Sequence, residues 1–180
     1  MCPWQHGGLL ASRVRTLINN PLRIVRGVVA PGMTVMDVGC GMGFFTIPVA
    51  RLVGPSGHVI GVDVQPQMLD GLAAHAAKAG YGNITAHQCG PQSLEVGSWE
   101  GTVDAAIIFY MLHEAPDPAR LVEEVHAALK PDGTVVFAEP VVHVNKRTFD
   151  GEADLFRHAG FQVADTPRIP ISRAVVWRKV

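Results

Sequence analysis

The sequence predicts an α/β protein built on an open, doubly wound sheet, and three observations carry that expectation. Short apolar, β-branched runs alternate with stretches of helical period along most of the chain. The runs are nearly continuous in apolar residues, as strands are when helices cover both faces of a sheet. Glycine and proline clusters fall between them, where such a fold turns.

Taken in order, Met33–Val38 is the first strand, and a glycine-rich turn leads from it into a helix reaching about Leu52. Gly54-Pro55-Ser56-Gly57 closes that unit, and His58–Val64 is the second strand. Pro66 opens a helix that runs to Ala79 and stops at Gly80, the usual proline-first, glycine-last punctuation. Ile84–Gln88 and Val103–Tyr110 read as the third and fourth strands. Between Pro118 and Leu129 the apolar residues 121, 122, 125, 128 and 129 form an amphipathic stripe. Pro131-Asp132-Gly133 is expected to end that helix and Thr134–Ala138 to be the fifth strand. A helix over about 148–159 precedes two strands at 161–166 and 173–179. The loop between those two holds Pro167 and Pro170 and is too short for a crossover helix, so they should pair antiparallel.

Composition narrows the function. The 180 residues are 48% hydrophobic and 17% charged, enough apolar material for a packed core. Fifteen Lys and Arg against sixteen Asp and Glu leave no basic excess, which argues against a general binder of nucleic acid or membrane surface. No window approaches the roughly 18–20 unbroken apolar residues of a spanning helix. Three cysteines, Cys2, Cys40 and Cys89, are an odd count that suits a reducing compartment, so a cytoplasmic location is expected.

The most informative segment is Val35-Met36-Asp37-Val38-Gly39-Cys40-Gly41-Met42-Gly43-Phe44. Glycines between a strand and a helix let a ligand approach backbone. A dinucleotide fingerprint would place its third glycine at 44, where this chain has Phe44. Asp37, inside the turn, would repel a pyrophosphate and suits a ligand with a cationic part. Asp63 ends the second strand, where one carboxylate can accept hydrogen bonds from both hydroxyls of a ribose.

From about Pro31 onward the sequence resembles the class I S-adenosylmethionine-dependent methyltransferases, in particular the small-molecule branch with the ubiquinone and menaquinone methyltransferases. Val35–Gly43 is similar to that family's first motif, Asp63 to its ribose-binding acid, and Pro66-Gln67-Met68-Leu69 to the start of its next helix. Val103-Asp104 through Glu114 resembles its fourth motif, and Leu129–Gly133 the run before its fifth strand. The resemblance implies a Rossmann-like sheet of order 3-2-1-4-5-7-6 with the last strand antiparallel, in three α/β/α layers. It implies S-adenosylmethionine as cofactor, with S-adenosylhomocysteine as product. Asp37, Gly39, Cys40, Gly41 and Gly43 would then stand by its methionine part, Asp63 at the ribose, Val64 and Met68 about the adenine, and Phe109 where the fourth strand ends. Gly90 occupies the place where family members often carry an acid for the adenine amino group. Residues 1–30 would form a lid segment before a methyltransferase domain at 31–180, with Trp4 a wall for the acceptor.

Methyl transfer from a sulfonium needs positioning first and a base only when the acceptor arrives protonated. Polar groups at C-terminal strand ends are the candidates, here His113, Glu139 and His143. Glu139 ends an apolar strand and is either a base or one half of an ion pair to an N-terminal arginine. Together with Cys2 or His6, these three residues would also make a set of metal ligands, but their spacing follows no ligand motif and no metal is expected. The expected acceptor is a small molecule, unless a second subunit of a homodimer completes the site. The alternatives are a nucleic-acid or protein methyltransferase, or a cofactor-binding sensor without catalysis.

Overall fold

The computed structural model describes residues 19–180. Most of the proposed lid segment, with Cys2, Trp4 and His6, therefore lies outside the described residues. The chain divides between Cys89 and Gly90 into two compact units.

The first unit holds a short helix α1 (Pro21–Ile24), then β1 (Thr34–Val38), α2 (Thr46–Val53), β2 (His58–Asp63), α3 (Pro66–Ala79) and β3 (Ile84–Gln88). Asn20 caps α1 through its side chain. β1 pairs parallel to β2, and β2 to β3. In β1 and β2 nearly every residue is buried, as expected of strands covered on both faces. Leu72 of α3 is fully buried and sets how closely the glycine turn approaches the helix. A Cβ on Gly43 would stand 2.7 Å from Leu72 Cδ1 and 3.0 Å from Ile47 Cγ1, on a backbone with φ +95°. The close packing that a dinucleotide fold obtains from a later glycine is thus obtained here at Gly43, while Phe44 is half-buried with its ring edge-on to Phe45. Gly43→Ala should destabilise the protein by about 2 kcal/mol, from overpacking and left-handed strain together. Urea unfolding checks this, and a loss below about 0.5 kcal/mol would mean that Leu72 yields freely.

The second unit holds β4 (Val103–Phe109), α4 (Pro118–Ala128), β5 (Leu129–Pro140), α5 (Lys146–His158), β6 (Phe161–Asp165) and β7 (Ser172–Lys179), with single 3₁₀ turns at Gly97–Trp99 and Leu112–Glu114. β4 and β5 are parallel, whereas β7 runs antiparallel to both β5 and β6. The sheet order is β3-β2-β1-β4-β5-β7-β6, as the resemblance implied. Its core is aromatic: the Phe156 ring lies parallel to Trp177 at 5.2 Å and packs on Phe137 at 4.9 Å.

One element departs from expectation. Pro131-Asp132-Gly133 does not separate α4 from the fifth strand, because β5 begins at Leu129. Val103 pairs with Leu129 and Ala105 with Thr134, so the residues between Leu129 and Thr134 bulge out of the ladder. Asp132 takes φ 62° there, and Lys130 reaches back to Asp104 at 2.6 Å. The turn residues act within the strand rather than before it.

Candidate functional site

Each unit gathers polar groups at the C-terminal ends of its parallel strands, the edge where open α/β sheets bind ligands. In the first unit β1 ends at Val38 and the chain turns through Gly39, Gly41 and Gly43, all with positive φ (72°, 53° and 95°). Among the described residues, a Cβ at Gly41 would meet nothing within 4 Å, so none of them covers its backbone. Asp63, the last residue of β2, spans from that turn to the next helix. Its Oδ2 accepts the Gly41 N–H at 2.9 Å, and its Oδ1 accepts the Gln65 N–H at 2.9 Å. Asp37 is buried, and its Oδ2 accepts the Thr46 hydroxyl at 2.6 Å. Thr46 opens α2, whose preceding residue Phe45 offers no side-chain cap. This threonine was not foreseen. Its signal was a hydroxyl at the helix start nine positions after the acid.

The other expected residues of this unit take plainer places. Cys40 is buried with its N–H on the Val62 carbonyl. Burial pushes its thiol well up, and the Asp37 and Asp63 carboxylates add to that, so it stays neutral and fills space. Val64 is half-buried just past β2, and Met68 belongs to the buried face of α3.

In the second unit Gly90 follows the third strand, and a Cβ built on it would lie 2.7 Å from Glu95 Oε1. Phe109 ends β4, buried, its ring stacked on Tyr110 at 4.0 Å. Tyr110 sits at φ 62° with its N–H on the Ala138 carbonyl and its hydroxyl on Ser172. That strained residue swings the chain into the turn bearing His113.

His113 and Glu139 meet. The His113 N–H donates to Glu139 Oε1 at 3.2 Å, and the His113 Nδ1 stands 2.6 Å from Glu139 Oε2. With Nδ1 committed to the carboxylate, Nε2 is the ring nitrogen left to act. Glu139 is fully buried. Burial raises its pKa from 4.5 to about 7, against the downward pull of the His113 and Leu112 amides and with some help from Glu114. Its ion-pair partner is this histidine. The cross-strand neighbour Arg173 instead gives its guanidinium to the Val144 carbonyl at 2.7 Å. His143 is exposed, its ring parallel to that of His113 with centroids 6.4 Å apart. Among the described residues no group of three or more His, Cys, Asp or Glu is placed to hold a metal ion. Nor, among them, is any helix long and apolar enough to cross a membrane.

A family model described as a methyltransferase domain matches residues 30–163. The chain belongs to that family. The arsenite methyltransferase of Halobacterium salinarum is 34% identical over 112 residues, covering 62% of this chain and 28% of that protein. The demethylmenaquinone methyltransferase of Lactococcus lactis is 33% identical over 122 residues, 66% of this chain and 48% of that one. The methyltransferase domain thus spans less than half the length of either relative. Among solved structures, a SAM-dependent methyltransferase from Aquifex aeolicus superposes with a TM-score of 0.89 over the whole of both chains at 22% identity, which shows a shared fold. Set in that fold, the glycine turn and the His113–Glu139 pair are the two parts of this methyltransferase domain with chemistry to offer.

Proposed function

We propose that this domain transfers the methyl group of S-adenosylmethionine to a small-molecule acceptor and releases S-adenosylhomocysteine. The observation that carries the reading is the glycine turn at Gly39–Gly43, held by Asp63 through the Gly41 amide with Asp37 buried behind it. Those residues fit the cofactor's chemistry. A carboxylate accepts about four hydrogen bonds, so the two backbone contacts of Asp63 are compatible with a ribose diol. Asp37 puts negative charge where a pyrophosphate would be opposed and a cationic ligand favoured. Gly39, Gly41 and Gly43 would admit the methionine part, with Cys40 as filler and Val64 and Met68 toward the adenine. Gly90 and Phe109 are cofactor candidates on the resemblance alone.

When bound, the cofactor supplies an activated methyl and a neutral thioether leaving group. The chain's own residues would manage the acceptor. His113 takes the acceptor's proton at Nε2, and Glu139 balances the imidazolium through Nδ1. His143, beside His113, orients the acceptor rather than taking its proton. The absence of a basic excess supports a small acceptor, as do relatives named for arsenite and demethylmenaquinone. The odd cysteine count supports a cytoplasmic setting, and a second subunit of a homodimer is the alternative by which the acceptor site would be completed.

Calorimetric titration with S-adenosylmethionine, S-adenosylhomocysteine and NAD in parallel tests the reading. Binding of the first two without NAD is expected, followed by methyl transfer in a screen of small phenols, thiols, amines and metalloids. Binding of NAD alone would overturn it.

A further inference from the structure

Helix α5 buries Phe149, Glu152, Ala153 and Phe156, the spacing of a core-facing stripe. Three of these suit a core and Glu152 does not. It is 7% exposed, and its Oε2 is buried with no hydrogen-bond partner among the described residues. Leaving a buried polar group unsatisfied costs about 1–3 kcal/mol, so a purely structural helix would carry an apolar residue here.

What the stripe packs against locates the acid. The Phe137 ring of β5 lies parallel to Phe149 at 5.3 Å and packs on Phe156 at 4.9 Å. Residues two apart on a strand share a face, so Glu139 follows Phe137 toward the same helix. Glu152 sits between the two phenylalanines on that helix, and its carboxyl is within electrostatic reach of both Glu139 and His113. We propose that Glu152 is a positioning residue of the His113–Glu139 pair, an acid whose protonation is coupled through space to that of Glu139 and so decides when Glu139 faces His113 as the anion.

The physical basis is that two carboxyls in one low-dielectric pocket do not ionise together. Burial first, and then the Glu139 charge, push Glu152 from 4.5 up to about 7, against the pull of His113. With the proton on Glu152, Glu139 stands ionised against Nδ1 and leaves Nε2 to the acceptor. The surrounding charges are accounted for. Glu114 acts on Glu139 from the His113 turn, Arg173 is turned to Val144, and His143 lies parallel to His113. Of the other elements against α5, α4 sets His126 edge-on to Phe161 and Glu124 on Arg120, with Glu123 exposed, while β6 exposes Asp165.

The inference rests on reading His113–Glu139 as the proton-accepting pair, so its test must not need an acceptor. Carboxyl-labelled glutamate followed by NMR across pH 4–9 should show Glu139 and Glu152 titrating in two coupled steps. In Glu152→Gln, an isostere of the neutral acid, Glu139 should titrate in one narrower step at lower pH. At these two carboxyls the folded state holds more protons than the unfolded chain between pH about 4.5 and 7, so their contribution to wild-type Tm should fall as pH rises through that window. Glu152→Gln should fall less. Once an acceptor is known, the kcat profile should lose its second step in this variant. A Glu139 titration unchanged by Glu152→Gln would overturn the proposal. So would single, independent steps in the wild type alone, should the variant not fold. Failure of methyl transfer with coupled titration intact would instead sink only the proposed reaction.

Discussion

Asp63→Ala is expected to weaken binding of S-adenosylmethionine by well over tenfold. The carboxylate has two duties. It ties the Gly41 amide to the Gln65 amide, both at 2.9 Å, and it is the proposed acceptor for the ribose hydroxyls. Removing it leaves two half-buried backbone donors without their charged partner, at a cost of about 1 kcal/mol each. It also lets the turn relax from the conformation in which none of the described residues covers the Gly41 backbone. Asp63→Asn, which keeps one acceptor oxygen, should fall between. Calorimetry on the three proteins, with circular dichroism to confirm folding, decides the matter. An Asp63→Ala variant that binds with wild-type affinity would remove Asp63 from the cofactor site.

Glu139→Gln should lower kcat by about 10²-fold, within the span usual for general acid–base groups. The cofactor dissociation constant should stay within about threefold of wild type. Glutamine keeps the volume and an oxygen for the His113 amide, so the fold should survive, yet it cannot hold the charge that an imidazolium requires. Because burial raises the Glu139 pKa to about 7, the wild-type rate should climb as pH rises through neutrality and the carboxyl ionises. That climb should vanish in the variant. An unchanged rate would mean that His113 and Glu139 are architecture, and a collapse of Tm with the rate would point the same way.

How far the sequence reaches can be judged on particular residues. The proline at 66 and the glycine at 80 bracket α3 as expected, because both act through backbone torsions that neighbours hardly alter. Ile84–Gln88 is likewise the third strand. Pro131-Asp132-Gly133 went otherwise, since pairing with β4 extended the strand past residues that locally favour a turn. In the candidate site, the turn made by the glycines and the place of Asp63 at the end of β2 were legible because both follow from spacing between strand and helix. Thr46 and Glu152 were not. A threonine at a helix start and an acid in a helix are ordinary until their surroundings are known.

The sequence by itself determined the order of strands and helices, the class of sheet, the glycine turn after the first strand and the candidates His113 and Glu139. Each is encoded locally, in period, turn chemistry and the residue types at strand ends. Only the tertiary structure decided that Asp63 holds Gly41 across 22 residues, that His113 and Glu139 pair across 26, and that Glu152 is buried on the core face of α5. Those contacts depend on strand register and on which helix face meets the sheet. A slip of one residue would turn Glu139 to the opposite face, away from α5.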